Sequence, residues 1–231
     1  MWILIPCKRL ELAKLRLAPV LSALERRGLA EAMLSDVLEV AMTTQSIQGV
    51  MVVSSDSTVA KIAQKFGAKF FSRHSDTDLS FALTVARDFL QSTAVKGIMT
   101  ISADLPRLSS NDINRVQASL GGQPGVSLAP ATKDLGTNLI ATSPASAIPY
   151  MFGKGSFLRH RKAARIRGFE PAIIRTPGLG FDIDHPEDLQ EFVLHRSEGR
   201  TFQYLHERGI QARLLAPSKK DSSDKLAKGA N

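Results

Sequence analysis

The stretch Lys96-Gly97-Ile98-Met99-Thr100-Ile101-Ser102-Ala103-Asp104-Leu105-Pro106 decides the fold. Lys96 to Ser102 is an apolar run of strand length, and it stops at an aspartate and a proline, residues that turn a chain. Shortly after, Ser109-Ser110-Asn111-Asp112 carries the spacing of a capping box and opens a helix. A strand that ends in a polar turn and runs on into a helix is one unit of a β/α alternation.

The unit repeats on both sides. Trp2 to Pro6, Gly49 to Ser54, Lys69 to Ser72 and Val126 to Pro130 read as further strands, with amphipathic segments of helix length between them. The clearest helix is Ser22 to Thr44, where Ser22-Ala23-Leu24-Glu25 is a capping box and Leu29, Met33, Val37 and Val40 recur on one face. Such alternation predicts a largely parallel sheet with right-handed crossovers, whose ligands sit beyond the carboxyl ends of the strands, and Asp104 stands at such an end. After about residue 120 glycine and proline become frequent, and Gly136 to Thr142 and Pro171 to Thr176 read as strands around one helix, Ser156 to Arg167. The fold class is therefore α/β: a single Rossmann-like domain over residues 1–218, a mostly parallel mixed sheet with helices on both faces, in two halves that divide near residue 120. Residues 219–231 are polar and without periodicity, and read as a disordered basic tail.

The 231 residues hold one cysteine, Cys7, which rules out an intramolecular disulfide and favours a reducing compartment, the cytoplasm. No apolar stretch reaches the length of a bilayer span, so no membrane partner is expected. A net charge of +8 points to anionic ligands, although part of the excess lies in Arg159-His160-Arg161-Lys162, Arg165, Arg167 and the tail lysines 219, 220, 225 and 228. No zinc spacing, recognition-helix pattern or aromatic-basic run accompanies it, and no nucleic-acid partner is expected. His74, His160, His185, His195 and His206 form neither a zinc nor a triad spacing and read mostly as surface or cap residues. Oligomeric state has no signature in the sequence.

A second acidic signature, Phe181-Asp182-Ile183-Asp184-His185-Pro186-Glu187-Asp188-Leu189, lies far along the chain. Asp182 and Asp184 are two apart in an extended segment and so face one side, while Pro186 starts a helix whose positive end Glu187 and Asp188 favour. Carboxylates from two distant strand ends can meet over one site and hold Mg²⁺ between nucleotide phosphates, although Asp104 is equally readable as a turn residue and one of the later pair as a helix cap. Pro6, Lys8, Lys14 and Arg16 follow the first strand, where a nucleotide-binding loop belongs; three cations there could surround a triphosphate or form a solvated basic loop. Phe152-Gly153-Lys154-Gly155-Ser156-Phe157 allows close backbone approach before a helix N-terminus, and Gly136-Thr137-Asn138 suits a carboxylate or hydroxyl or a plain turn. Ser54, Ser55 and Asp56 are candidate base or ribose contacts, Asp56 being equally a helix cap.

Taken in order, Ile5-Pro6 through Lys14-Leu15-Arg16-Leu17, Met33-Leu34-Ser35-Asp36, Asp104-Leu105-Pro106, Gly136-Thr137-Asn138, Phe152 to Phe157 and Asp182 to Leu189 resemble the guanylyltransferases of coenzyme F420 biosynthesis over about residues 3 to 190. The resemblance implies a nucleotidyltransferase fold, with a nucleotide-binding half at about 1–120 and an acceptor-binding half at about 121–218. It also implies transfer of GMP from GTP to 2-phospho-L-lactate, phosphoenolpyruvate or 3-phospho-D-glycerate, with release of pyrophosphate. Asp104, Asp182 and Asp184 would hold Mg²⁺, Lys14 and Arg16 would meet the GTP phosphates, and Thr137, Gly153 and Ser156, with Asn138 beside them, would contact the acceptor. Lys14, Arg16 and Asp104 would be catalytic. Where relatives carry Gly-Leu-Asn at the third helix, this chain reads Asp78-Leu79-Ser80; Ser80 can bond the nucleotide but lacks the paired donor and acceptor of an amide. A nucleotidyltransferase for another phosphorylated acceptor and a non-catalytic nucleotide-binding module are the competing readings.

Overall fold

The computed structural model describes residues 1–72, 78–195 and 198–216, so His74 and the 219–231 tail lie outside the described residues. Its strands are β1 (Trp2–Pro6), β2 (Gly49–Ser54), β3 (Lys69–Ser72), β4 (Ile98–Ile101), β5 (Gly125–Pro130), β6 (Thr137–Ser143) and β7 (Ala172–Ile173). Among the described residues they form one sheet in the order β3-β2-β1-β4-β6-β5-β7. β1 pairs parallel with β2 and β4, β2 with β3, and β5 with β7, whereas β6 runs antiparallel to both β4 and β5. The sheet is thus parallel on one side and mixed on the other. The strand expected over Lys96–Ser102 pairs only at Ile98–Ile101, and that over Pro171–Thr176 only at Ala172–Ile173. Apolar composition marked where strands run, but the available neighbours decide how far they pair.

Both faces of the sheet are covered, which is why its central strands are near-continuous apolar runs. Ile3, Ile5, Val50 and Val52 pack against α1 (Ala23–Thr43), α2 (Ser57–Lys65) and α4 (Ser110–Leu120). Leu4, Met51 and Val53, alternating with them, meet α3 (Leu79–Ser92) and α5 (Ser156–Ile166) on the other face. The expected capping boxes at Ser22 and Ser109 are both formed. α1 is buried on more than one side: Leu34, Val37 and Leu38 face the sheet, while Leu29 and Met33 enter a third cluster with Phe181, Ile183, Leu189, Phe192 and Leu205.

That third cluster joins the C-terminal segment to the core. After α6 (Pro177–Gly180) come α7 (Pro186–Leu194), α8 (Arg200–Glu207) and α9 (Ile210–Leu215), of which sequence patterning indicated only α7. Among the described residues no local side chain caps α8; its first amides, Arg200 N and Thr201 N, donate to the buried Asp36 of α1 at 2.7 and 2.9 Å, and the Thr201 hydroxyl joins them at 2.6 Å. A cap supplied from so far along the chain leaves no local signal. Among the described residues no helix is long and apolar enough to cross a membrane.

Candidate active site

Three segments meet above the carboxyl ends of β1 and β4. After β1 the chain makes two 3₁₀ turns, Leu10–Leu12 and Leu15–Leu17, anchored by the buried Leu10 and Leu17 and by a bond from Leu10 N to Asp56 at 2.8 Å. Between the turns Lys14 adopts a left-handed conformation, φ 52° and ψ 39°, which costs a side-chain-bearing residue about 1 kcal/mol and so marks a constrained point of the backbone. That conformation accompanies a nearly buried ammonium. Lys14 Nζ donates to Asp104 Oδ2 and to Asp184 Oδ1, each at 2.7 Å.

Asp104 follows β4 by a short turn, with Ser102 Oγ donating to its Oδ1 at 2.5 Å. Asp184 also accepts from the exposed Arg16 at 3.2 Å. Between them Ile183 is fully buried, while Asp182 and Asp184 are each half-buried. Asp182 accepts from the Asn138 amide at 3.3 Å.

The charges are unequal. Burial works against the ammonium of Lys14, but the fields of Asp104 and Asp184 outweigh it and hold its pKa above the ordinary lysine range. Burial likewise opposes the charge on Asp104, yet Lys14 and the Ser102 hydroxyl keep its carboxyl below the usual range. Asp182 feels Lys14 only weakly, and burial and the neighbouring Asp104 push it up to about 6. The donor set is all oxygen, the preference of Mg²⁺, which needs only one or two protein carboxylates when phosphates complete its shell. One or two of these carboxylates therefore fit that ion only when it is shared with a phosphate chain, since among the described residues no group of three or more His, Cys, Asp or Glu is placed to hold a metal ion.

Lys14, Arg16, Asp104 and Asp184 line a cleft of about 410 Å³ together with Pro6 and Lys8, and the apolar Met33 and Leu79 form part of its wall. Asp182, Ser54, Asp56 and Ser80 do not line it. Ser54 is fully buried and accepts from Asp56 N at 3.2 Å; Asp56 caps α2 through Thr58 N at 2.7 Å while holding Leu10 N. The Ser80 hydroxyl accepts from Phe152 N at 3.0 Å, tying the start of α3 to the glycine loop.

Beside the cleft lies a neutral cluster. The β5–β6 register steps from Ala129↔Leu139 to Pro130↔Thr137, leaving Asn138 as the extra residue of a bulge, a device that re-aims side chains. Thr137 and Asn138 accordingly part company. Asn138 donates to Leu179 O at 3.0 Å as well as to Asp182, whereas Thr137 Oγ1 accepts from Ser156 Oγ at 3.0 Å and lies 3.0 Å from His160 Nδ1. Gly153 (φ 108°) and Gly155 (φ 67°) take backbone conformations that side chains resist, and Arg159 straps their loop by donating to the carbonyls of Met151, Phe152 and Lys154.

Sequence reasoning passed over two residues here. His160, read as one of several surface or cap histidines, is fully buried at this cluster. Asp188, read as a helix-start carboxylate, does more than that: it accepts from Asp184 N at 3.0 Å and His185 N at 2.7 Å and is paired with Lys133, so it fixes the backbone that carries Asp184. The spacing of His185 to Asp188 held the signal, since a carboxylate at the third helical position reaches back to the preceding amides.

A model of the family described as "Guanylyl transferase CofC like" matches residues 1–225. The chain is 36% identical over 195 residues, 84% of this chain and 93% of the relative, to a protein of Sphaerobacter thermophilus named phosphoenolpyruvate guanylyltransferase. It is 34% identical over 202 residues (87% and 88%) to the 2-phospho-L-lactate guanylyltransferase of Methanothermobacter thermautotrophicus. A third relative, 32% identical over 192 residues (83% and 90%), is the 3-phospho-D-glycerate guanylyltransferase of Colwellia psychrerythraea. In fold it is similar to the solved structure of a nucleotidyl transferase from Methanothermobacter, with a TM-score of 0.59 at 13% identity, covering 83% of this chain and 94% of that one.

Proposed function

The chain belongs to the CofC-like guanylyl transferase family, and on that premise we propose that it transfers GMP from GTP to a phosphorylated three-carbon acid. The acceptor is one of 3-phospho-D-glycerate, phosphoenolpyruvate and 2-phospho-L-lactate, pyrophosphate is released, and the reaction serves coenzyme F420 biosynthesis in the cytoplasm, a setting the single cysteine suits. The observation that carries the reading is Lys14, whose buried ammonium is held by Asp104 and Asp184 in a cleft rimmed by Lys8 and Arg16.

The acceptor phosphate is mostly dianionic near neutral pH, its second pKa being about 6, so its oxygen attacks without a general base. That oxygen forms a bond to the α-phosphorus of GTP as the bond from the α-phosphorus to its bridging oxygen breaks, and the electron pair leaves with pyrophosphate. What the site must overcome is repulsion between two anions. Lys14 and Arg16 supply fixed positive charge where the triphosphate would lie, and the rigid 3₁₀ turns keep that charge in place before the substrate arrives. Mg²⁺, held by one or two carboxylates of the set Asp104, Asp182 and Asp184 with the nucleotide phosphates, would neutralise further charge on the triphosphate and on the departing pyrophosphate. Thr137, Ser156 and the backbone at Gly153 would receive the acceptor.

The experiment is pyrophosphate release by the purified protein with Mg²⁺ and GTP, each acid in turn, and ATP and CTP as controls. Release with GTP and one acid is the expected result and names the acceptor. Silence of the folded protein with all three would overturn the reading.

A further inference from the structure

His160 carries no charge relation to Asp104 or Asp184, yet it is fully buried beside the acceptor loop, and its two nitrogens have different tasks. Met151 N donates to His160 Nε2 at 2.8 Å. A backbone N–H is always a donor, so Nε2 must be the unprotonated nitrogen, and in a neutral imidazole the proton then sits on Nδ1. Nδ1 lies 3.0 Å from Thr137 Oγ1 and donates to it, and Ser156 Oγ donates to the same oxygen at 3.0 Å. A hydroxyl oxygen has two lone pairs, and both are now used. Among the described residues nothing accepts the remaining proton of Thr137, and Thr137, at 8% exposure against 2% for Ser156 and 0% for His160, is the most exposed of the trio.

We propose that His160 is a positioning residue: as the Nδ1–H tautomer it fixes the Thr137 hydroxyl as an obligate donor, aimed at an anionic oxygen of the acceptor. A hydroxyl free to rotate would both donate and accept, and would tolerate a ligand that offers a donor at that point. One locked as a donor selects for an oxyanion, the feature that a carboxylate or phosphate presents. Burial keeps the ring neutral, with its pKa lowered to about 4, so the tautomer persists across the working range of pH. The proposal rests on the acceptor reading given above.

Two measurements test it. In the ¹⁵N-labelled protein, a long-range ¹H–¹⁵N spectrum of the ring is expected to show His160 as a single Nδ1–H tautomer at neutral pH; an Nε2–H tautomer or a charged ring would overturn the assignment. This needs no substrate. The second is a comparison of His160→Asn, whose shorter amide reaches the Nδ1 position and still donates to Thr137, with His160→Gln, whose longer amide reaches Nε2 and leaves Thr137 without its donor. His160→Gln is expected to raise the acceptor KM about ten- to a hundredfold, with kcat and the GTP KM much less affected, and His160→Asn to recover most of that loss at a similar melting temperature. Equal acceptor KM values for the two variants would overturn the proposal. A wild-type protein silent with every acid would sink the acceptor reading, and the ring spectrum would still decide the tautomer.

Discussion

Lys14 Nζ stands 2.7 Å from Asp104 Oδ2, joining residues 90 apart in sequence across the mouth of the cleft. The same nitrogen reaches Asp184 from 170 residues away, so one ammonium gathers the carboxyl ends of the first parallel strands and the late acidic segment into one site. Replacing Asp104 by Ala should lower turnover at least a hundredfold, about 3 kcal/mol of transition-state stabilisation, with Lys14 still held by Asp184. Steady-state pyrophosphate release by the folded variant checks this; turnover near that of the wild type would remove Asp104 from the chemistry.

Lys14→Met should cost stability as well as activity, because it leaves Asp104 without its cation. The Asp104 carboxyl is held below its ordinary value, so its contribution is present above the unfolded pKa and is lost as pH falls through the folded one. The expected destabilisation is about 3 kcal/mol at neutral pH, shrinking below about pH 4. Urea titrations at the two pH values measure it, and a deficit independent of pH would contradict the pairing.

Asp182 behaves in the opposite sense. Its pKa rises from 3.8 to about 6 on folding, so between those values the native state binds more protons, and wild-type stability falls as pH rises through that window. Asp182→Asn can keep the bond from Asn138 without the charge. In chelator-treated protein it should be about 1–3 kcal/mol more stable than wild type above pH 6 and no different below pH 4, while its activity drops. Denaturant midpoints against pH decide, and equal midpoints above pH 6 would show that Asp182 is relaxed there.

Asp188→Asn should loosen the late acidic segment. Its carboxylate takes the Asp184 and His185 amides and the Lys133 ammonium, and an amide cannot serve all three. A loss of about 2 kcal/mol in stability and about tenfold in kcat is expected, since Asp184 would remain present but poorly held. Lys133→Met, at an exposed position, should cost much less in both assays.

Ser80→Ala separates two readings of one hydroxyl. A base contact would raise the GTP KM; the observed bond to Phe152 N predicts instead a several-fold rise in the acceptor KM, because the glycine loop loses an anchor. KM values for both substrates from one set of assays distinguish the two.

The sequence by itself determined the β/α rhythm and the capping boxes of α1 and α4, because each depends on local periodicity or on bonds between residues a few positions apart. Tertiary structure alone decided the rest. The antiparallel β6 and its bulge sent Thr137 and Asn138 to different partners, the Asp36 carboxylate capped α8 from the far end of the chain, and burial gave His160 and Asp188 roles their sequence surroundings did not display. The physical reason is common to all of these: a polar group taken out of water must find its partner wherever the packed chain provides one, and that partner need not be near in sequence.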